Sequence, residues 1–187
     1  MLRATIPALL AATAIAADPA AAAPAGFLDF SLKANDGSDY PLSKLKGKVV
    51  LLVNTASKCG NTPQYAAMQK LHETYGAKGL VVLAVPANEF GKQEPGSDAD
   101  IAQFCTSKYH VTFPLMSKIV VKGEGIHPLY EWLTTKSLKP GAITWNFAKF
   151  LIGRDGSVID RFDPKTKPDD AKVTAAIESA LAVPELK

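Results

Sequence analysis

Val49-Val50-Leu51-Leu52-Val53-Asn54-Thr55-Ala56-Ser57-Lys58-Cys59-Gly60-Asn61-Thr62 is the stretch whose reading decides the fold. Its first five residues are an uninterrupted apolar run, the pattern of a strand buried on both faces. Thr62-Pro63 then opens a helix over about 63–76, with Tyr65, Met68, Leu71 and Tyr75 at helical spacing and Gly76 and Gly79 to end it. Cys59 therefore falls between a buried strand and a helix N-terminus. Orphan backbone N–H groups and the positive end of a helix dipole at such a position stabilise a sulfur anion. Most free cysteines are small buried hydrophobes. The neighbours Ser57, Lys58, Gly60 and Asn61 place this one poorly for a core and point to a reactive thiol.

Working outward, Leu80 to Val85 is a second continuous apolar strand of the parallel-sheet kind. A loop rich in Gly and Pro, 86–97, follows. Ser97-Asp98 caps a helix running to about Tyr109, with Ile101, Phe104 and Cys105 on its apolar face. Leu129, Tyr130 and Leu133 mark another helix, around 127–136. Upstream, Phe27 to Leu32 reads as a short strand and Asn35-Asp36-Gly37-Ser38 as a turn. Downstream, Phe147–Ile152 and Ser157–Phe162 form a hairpin about Arg154-Asp155-Gly156. Asp169-Asp170 opens a last helix carrying Val173, Ala176, Ile177, Ala180 and Leu181 on one stripe. The order β-α-β-α, then β-β-α, predicts an α/β protein with a thioredoxin-like fold and one additional helix. In such sheets the site lies beyond the C-terminal ends of the strands, where Cys59 falls.

The first 25 of the 187 residues read as a secretory signal rather than as structure. Met1-Leu2-Arg3 supplies a positive start, Ile6 to Ala16 an apolar run, and Ala14-Ile15-Ala16 and Ala23-Pro24-Ala25 small-residue patterns for cleavage between 16 and 26. The run is too short for a stable membrane anchor. The expectation is an exported, periplasmic protein with one domain over 26–187.

A net charge of +3 is too small and too dispersed for a nucleic-acid partner, and Lys44-Leu45-Lys46-Gly47-Lys48 reads as a solvated loop. Cys59 and Cys105 are the two cysteines. No Cys-x-x-Cys is present, and His72, His110 and His127 are scattered. Neither a metal nor another cofactor is expected, the pair Cys105 and His110 being a weak metal signal.

Three segments then coincide with one family. Val53 to Gly60 resembles the active-site motif of the glutathione peroxidase family. Pro86-Ala87-Asn88-Glu89-Phe90-Gly91-Lys92-Gln93-Glu94-Pro95-Gly96 resembles its second signature, and Trp145-Asn146-Phe147-Ala148-Lys149-Phe150-Leu151 its third. The resemblance runs from about residue 27 to the last helix. It implies a thiol peroxidase in which Cys59 is the peroxidatic nucleophile, surrounded by Gln93, Trp145 and Asn146. Their neutral N–H groups suit charge moving from sulfur to a departing oxygen, since they stabilise it without locking the thiolate into an ion pair. Taken without the family, Trp145 is core filler, and Gln93 and Asn146 are loop polar groups.

The chain departs from the family pattern at Ala87, where many relatives have a cysteine, and at Glu89, where many have a glutamine. The short stretch from Pro128 to Trp145 lacks the insertion that accompanies tetramers in larger relatives, so a monomer is expected. Phe104 to Pro114 resembles the helix and loop that carry the resolving cysteine in members reduced by thioredoxin. Cys105 would then condense with the oxidised Cys59, and a thioredoxin-like dithiol would regenerate both. The helical spacing itself reads differently: four residues after Ile101, Cys105 faces the core, where cysteines are inert. Two alternatives stay open. One is glutathione acting directly on Cys59; the other is a redox-inert thioredoxin-like protein with a structural disulfide. A peroxiredoxin is discounted because no proline precedes Thr55 at the required spacing from Cys59.

Overall fold

The computed structural model describes residues 26–184, so the expected signal segment lies outside it. In chain order the strands are β1 (Ser31–Lys33), β2 (Asp39–Pro41), β3 (Val49–Thr55), β4 (Leu80–Pro86), β5 (Lys149–Ile152) and β6 (Val158–Phe162). The helices are α1 (Gln64–Tyr75), α2 (Asp98–Tyr109), α3 (Pro128–Thr135) and α4 (Ala171–Ala182). One sheet carries the order β4-β3-β5-β6; β3 and β4 are parallel, and the other two pairings are antiparallel. This is the expected β-α-β-α, β-β-α order.

Every residue of β3 is buried, as a continuous apolar run requires of a strand with cover on both faces. Val49, Leu51 and Val53 join Met68 and Leu71 of α1, Ile101 and Cys105 of α2, and Val173 and Ile177 of α4. Val50 and Leu52 join Leu129, Tyr130 and Leu133 of α3 together with Leu32 and Tyr40 of the small β1–β2 pair. Two helical layers thus sandwich the sheet and exclude water from the strand that leads to Cys59.

Two local expectations change. Residues 27–29 are a 3₁₀ turn, because Asp29 Oδ2 accepts the Gly26 N–H at 3.0 Å and reels the chain in; only Ser31–Lys33 remains extended. Phe147 and Ala148 are not strand, since Phe147 lies at φ +69° and β5 starts at Lys149. At the far end of the sheet Arg154 donates to the carbonyls of Gly47 (2.5 Å), Leu181 (3.0 Å) and Val183 (2.8 Å). One guanidinium therefore ties the end of α4 to the loop before β3 and satisfies carbonyls that the helix leaves open.

The β5–β6 turn depends on Gly156 at φ +86°, and a Cβ there would approach Leu28 Cγ to 2.8 Å. Gly156→Ala should lower stability by about 2 kcal/mol through backbone strain and overpacking together. An unchanged urea midpoint would contradict both contributions.

Candidate active site

The turn after β3 is built around Thr62. Its hydroxyl oxygen accepts the Cys59 N–H at 3.0 Å and donates to the Ala56 carbonyl at 2.8 Å, while the Thr62 N–H donates to the Cys59 carbonyl at 3.0 Å. With its polar groups bonded to one another, the turn curls so that Cys59 is only 8 % exposed and belongs to the buried cluster of Met68, Ile101 and Phe147. The expectation that its neighbours place Cys59 poorly for a core is corrected here: Lys58 and Gly60 face outward, Ser57 and Asn61 bond to other loops, and the sulfur tucks inward. It still lines a cavity of about 500 Å³, with Asn61, Thr144, Trp145 and residues 163–166. The Asn61 N–H points at the sulfur from 3.4 Å.

A second wall hangs from Asn54, near the end of β3. Its carbonyl accepts the Phe147 N–H at 2.6 Å and its side-chain oxygen accepts the Ala148 N–H at 3.0 Å. Its amide donates to the Trp145 carbonyl at 3.2 Å. These bonds impose the left-handed turn at Phe147 and fix the run Trp145-Asn146. The Trp145 ring packs on Phe90 with centroids 5.9 Å apart and stays 41 % exposed, so it is no core filler. Asn146 is fully buried and donates to the Gln93 side-chain oxygen at 2.9 Å and the Phe90 carbonyl at 3.4 Å. Accepting through Oε1 turns the Gln93 N–H₂ group away from Asn146.

The third strand of the network is the 86–97 loop. The Lys58 N–H donates to the Gln93 carbonyl at 3.0 Å, and Asn61 Nδ2 donates to the Asn146 carbonyl at 3.4 Å. Cys59, Gln93, Trp145 and Asn146, far apart in the chain, thus come from three loops that are hydrogen-bonded to one another. Glu94 anchors the same loop: it is buried, accepts from the Ser57 hydroxyl at 3.1 Å, and takes the Asn88 side-chain oxygen on its own N–H at 2.8 Å. Burial pushes its carboxyl above the usual carboxylate range. Lys118 crosses beneath to donate to the carbonyls of Glu94 (3.1 Å) and Gly96 (2.6 Å).

The sequence reading gives Asn54, Thr62, Ser57 and Glu94 no positioning role. One signal was available for Asn54, a polar residue closing a run of buried apolar ones. Nothing local signals the others. The two departures from the family pattern lie in the same loop but bond elsewhere: Ala87 is buried in the core with its N–H on the Thr55 carbonyl at 3.0 Å, and Glu89 accepts the Val121 N–H at 2.9 Å.

Cys105 is fully buried on α2, as its spacing from Ile101 predicts, and burial pushes its thiol up to about 11. Both cysteines are free, and Cys105 lines a separate cavity with Asn35, Tyr40 and Met116. His110 follows at the left-handed C-cap of α2, and no group of three or more metal-ligating side chains occurs among the described residues.

Comparison with known proteins fits this architecture. Residues 27–134 match the family model for glutathione peroxidase. This chain belongs to the glutathione peroxidase family. It is 50% identical over 145 residues to the glutathione peroxidase-like peroxiredoxin gpx1 of Schizosaccharomyces pombe, covering 76% of this chain and 92% of that one. It is 51% identical over 154 residues to the hydroperoxy fatty acid reductase Gpx2 of Synechocystis, covering 82% and 98%. Among solved structures, a protein described as Trgpx in apo form superposes with a TM-score of 0.68 at 39% identity, over 87% of this chain and all of that one. The chain is accordingly a thiol peroxidase with a thioredoxin-like fold.

The environments of the two thiols differ enough to be read chemically. The reduced, folded protein should take up one equivalent of iodoacetamide at neutral pH, at Cys59, with Cys105 labelled only on unfolding. Peptide mapping that finds the label shared between the two would contradict the burial of Cys105.

Proposed function

We propose that this protein reduces hydroperoxides, hydrogen peroxide and organic or lipid hydroperoxides alike, at Cys59. The Cys59 thiolate attacks one peroxide oxygen, the O–O bond breaks, and the other oxygen leaves as an alcohol or water after taking a proton. Cys59 becomes a sulfenic acid. Gln93, Trp145 and Asn146 supply the donors that stabilise charge on the departing oxygen. The observation that carries this reading is that two distant loops are hydrogen-bonded to the turn carrying Cys59, which opens to a cavity that Trp145 also lines.

In the second half, the Cys105 thiol attacks the sulfenic acid, a disulfide forms and water leaves. An external thioredoxin-like dithiol then donates two electrons to restore both thiols. The two Cα atoms must come within about 4.4–6.8 Å for this, so α2 has to give way. Support lies in how lightly that helix is held: only Ile101 and Cys105 of its twelve residues are buried, and its C-cap is His110 at φ +52°. Shallow burial is a mark of elements that open locally. A second reading, glutathione attacking the sulfenic acid directly, is favoured by the deep burial of Cys105. The third, an inert structural disulfide, has no observation in its favour. We also propose export to the periplasm, from the pattern of residues 1–25, and a monomer, from the short connection between α3 and Trp145. No helix among the described residues is long and apolar enough to cross a membrane.

Cys59→Ser should lose peroxide consumption by at least about a thousandfold with the fold intact. Gln93→Ala, Trp145→Phe and Asn146→Ala should each slow the first oxidation by about 2–4 kcal/mol. Stopped-flow oxidation at the parental rate in all three would remove them from the mechanism. Cys105→Ser should undergo one oxidation and then stall with thioredoxin, and it should pass more readily to the sulfinic form at high peroxide. Mass spectrometry that finds Cys105 reduced throughout steady-state turnover would instead assign reduction to glutathione or another small thiol.

A further inference from the structure

Lys149 lies in β5, an interior strand, with no exposed surface at all. Among the described residues no carboxylate forms an ion pair with it; Asp163 is the charged group that acts on it, from a longer distance. Its ammonium donates instead to three backbone carbonyls, those of Thr166 (2.5 Å), Pro164 (3.2 Å) and Asp163 (3.4 Å). Burying a lysine costs several kcal/mol, and an apolar side chain of similar length would fill the same space without that cost. What only the lysine provides is the hold on one segment. That segment, 163–166, contributes all four of its residues to the lining of the Cys59 cavity. Gln64 of α1 reaches the same place from beneath, donating to the Pro164 carbonyl at 2.8 Å. Lys149 itself does not line the cavity.

We propose that Lys149 is a positioning residue for bulky hydroperoxides, its buried ammonium clamping residues 163–166 as a wall of the Cys59 cavity. The proposal rests on the reading of Cys59 as the peroxidatic centre. Hydrogen peroxide has two heavy atoms and needs only the sulfur and its nearest donors. An organic hydroperoxide must also lodge its carbon chain in the cavity, against that wall. A wall already ordered lowers the cost of binding the chain and leaves the small peroxide unaffected.

The charge state adds a signature. Burial pushes the amine down to about 7. An ammonium has three N–H bonds for three carbonyls, whereas the neutral amine has two. The clamp is therefore complete at acid pH and loses a bond as pH rises through neutrality. Of the elements packed against Lys149, β3 presents Val53, β6 presents Phe162, α1 presents the neutral Gln64, and the loop presents Asp163.

The test compares single-turnover oxidation by cumene hydroperoxide and by hydrogen peroxide in the full protein, from pH 5.5 to 9. Their rate ratio cancels the ionisation of Cys59 and any general loss of folded protein. In the parent the ratio should fall through neutral pH. In Lys149→Met it should be low and flat, down by about fivefold at pH 6, the scale of ordering one or two side chains on binding. Lys149→Arg, which keeps the charge, should restore a high ratio without the inflection. Amide exchange of Asp163, Lys165 and Thr166, compared between parent and Lys149→Met at matched pH, should differ more at pH 6 than at pH 9, where the neutral amine has given up one of its three bonds. A parental ratio independent of pH, or a Lys149→Met variant slowed equally toward both peroxides, would overturn the proposal. If Cys59 reacted with neither peroxide, the peroxidatic reading would fall with it, while the exchange difference would still report whether the clamp exists.

Discussion

The site depends first on Asn54. It occupies the penultimate position of a strand buried on both faces, and it gives its carbonyl, its side-chain oxygen and its amide to the segment 145–148. A buried polar side chain must find partners, and at this point in the sheet the partners available are backbone groups of a chain segment almost a hundred residues away. The arrangement links the Cys59 turn and the Trp145-Asn146 turn to a single rigid strand end. A loop held at one point would wander by more than the sub-ångström tolerance that proton and charge transfer require, whereas two loops fixed to one strand keep their relative placement.

Around that anchor the polar groups form a continuous chain rather than isolated pairs. Gln93 is held by Lys58 through its carbonyl and by Asn146 through its side chain, and Glu94 next to it holds Ser57. Gln93 and Asn146 are therefore held by main-chain and side-chain bonds that never touch the sulfur. Both hydrogens of the Asn146 amide are already committed to Gln93 and Phe90 in this reduced state. In the proposed mechanism Asn146 therefore acts through the orientation of Gln93 as well as through any direct contact.

The two cysteines occupy contrasting environments. Cys59 sits at the end of a strand in a turn stabilised by its own hydrogen bonds and opens to a cavity. Cys105 is enclosed in the apolar layer between α2 and the sheet, where burial keeps it a thiol. A resolving step needs that second environment to be temporary. In the proposed two-cysteine cycle, the core position of Cys105, which stabilises α2, is set against a chemical role that requires leaving it.

Sequence by itself determined the element order, the placement of Cys59 at the strand-to-helix junction and the membership of Gln93, Trp145 and Asn146 in one family pattern. These follow from local causes: apolar runs that must be covered, glycines and capping residues that start and stop helices, and motifs contiguous in the chain. It misread residues 27–29 as extended, because the Gly26–Asp29 bond that winds them depends on a side chain folding back. It placed Phe147 and Ala148 in a strand, because the pull of Asn54 on that segment has no local trace. Only the tertiary structure decided how the three loops interlock, that Cys59 is tucked into the core rather than displayed, and that a lysine inside a strand reaches the wall of the cavity. Each of those rests on partners brought together across long stretches of chain, where the deciding factor is which buried polar group can satisfy which other, and composition and periodicity carry no record of that pairing.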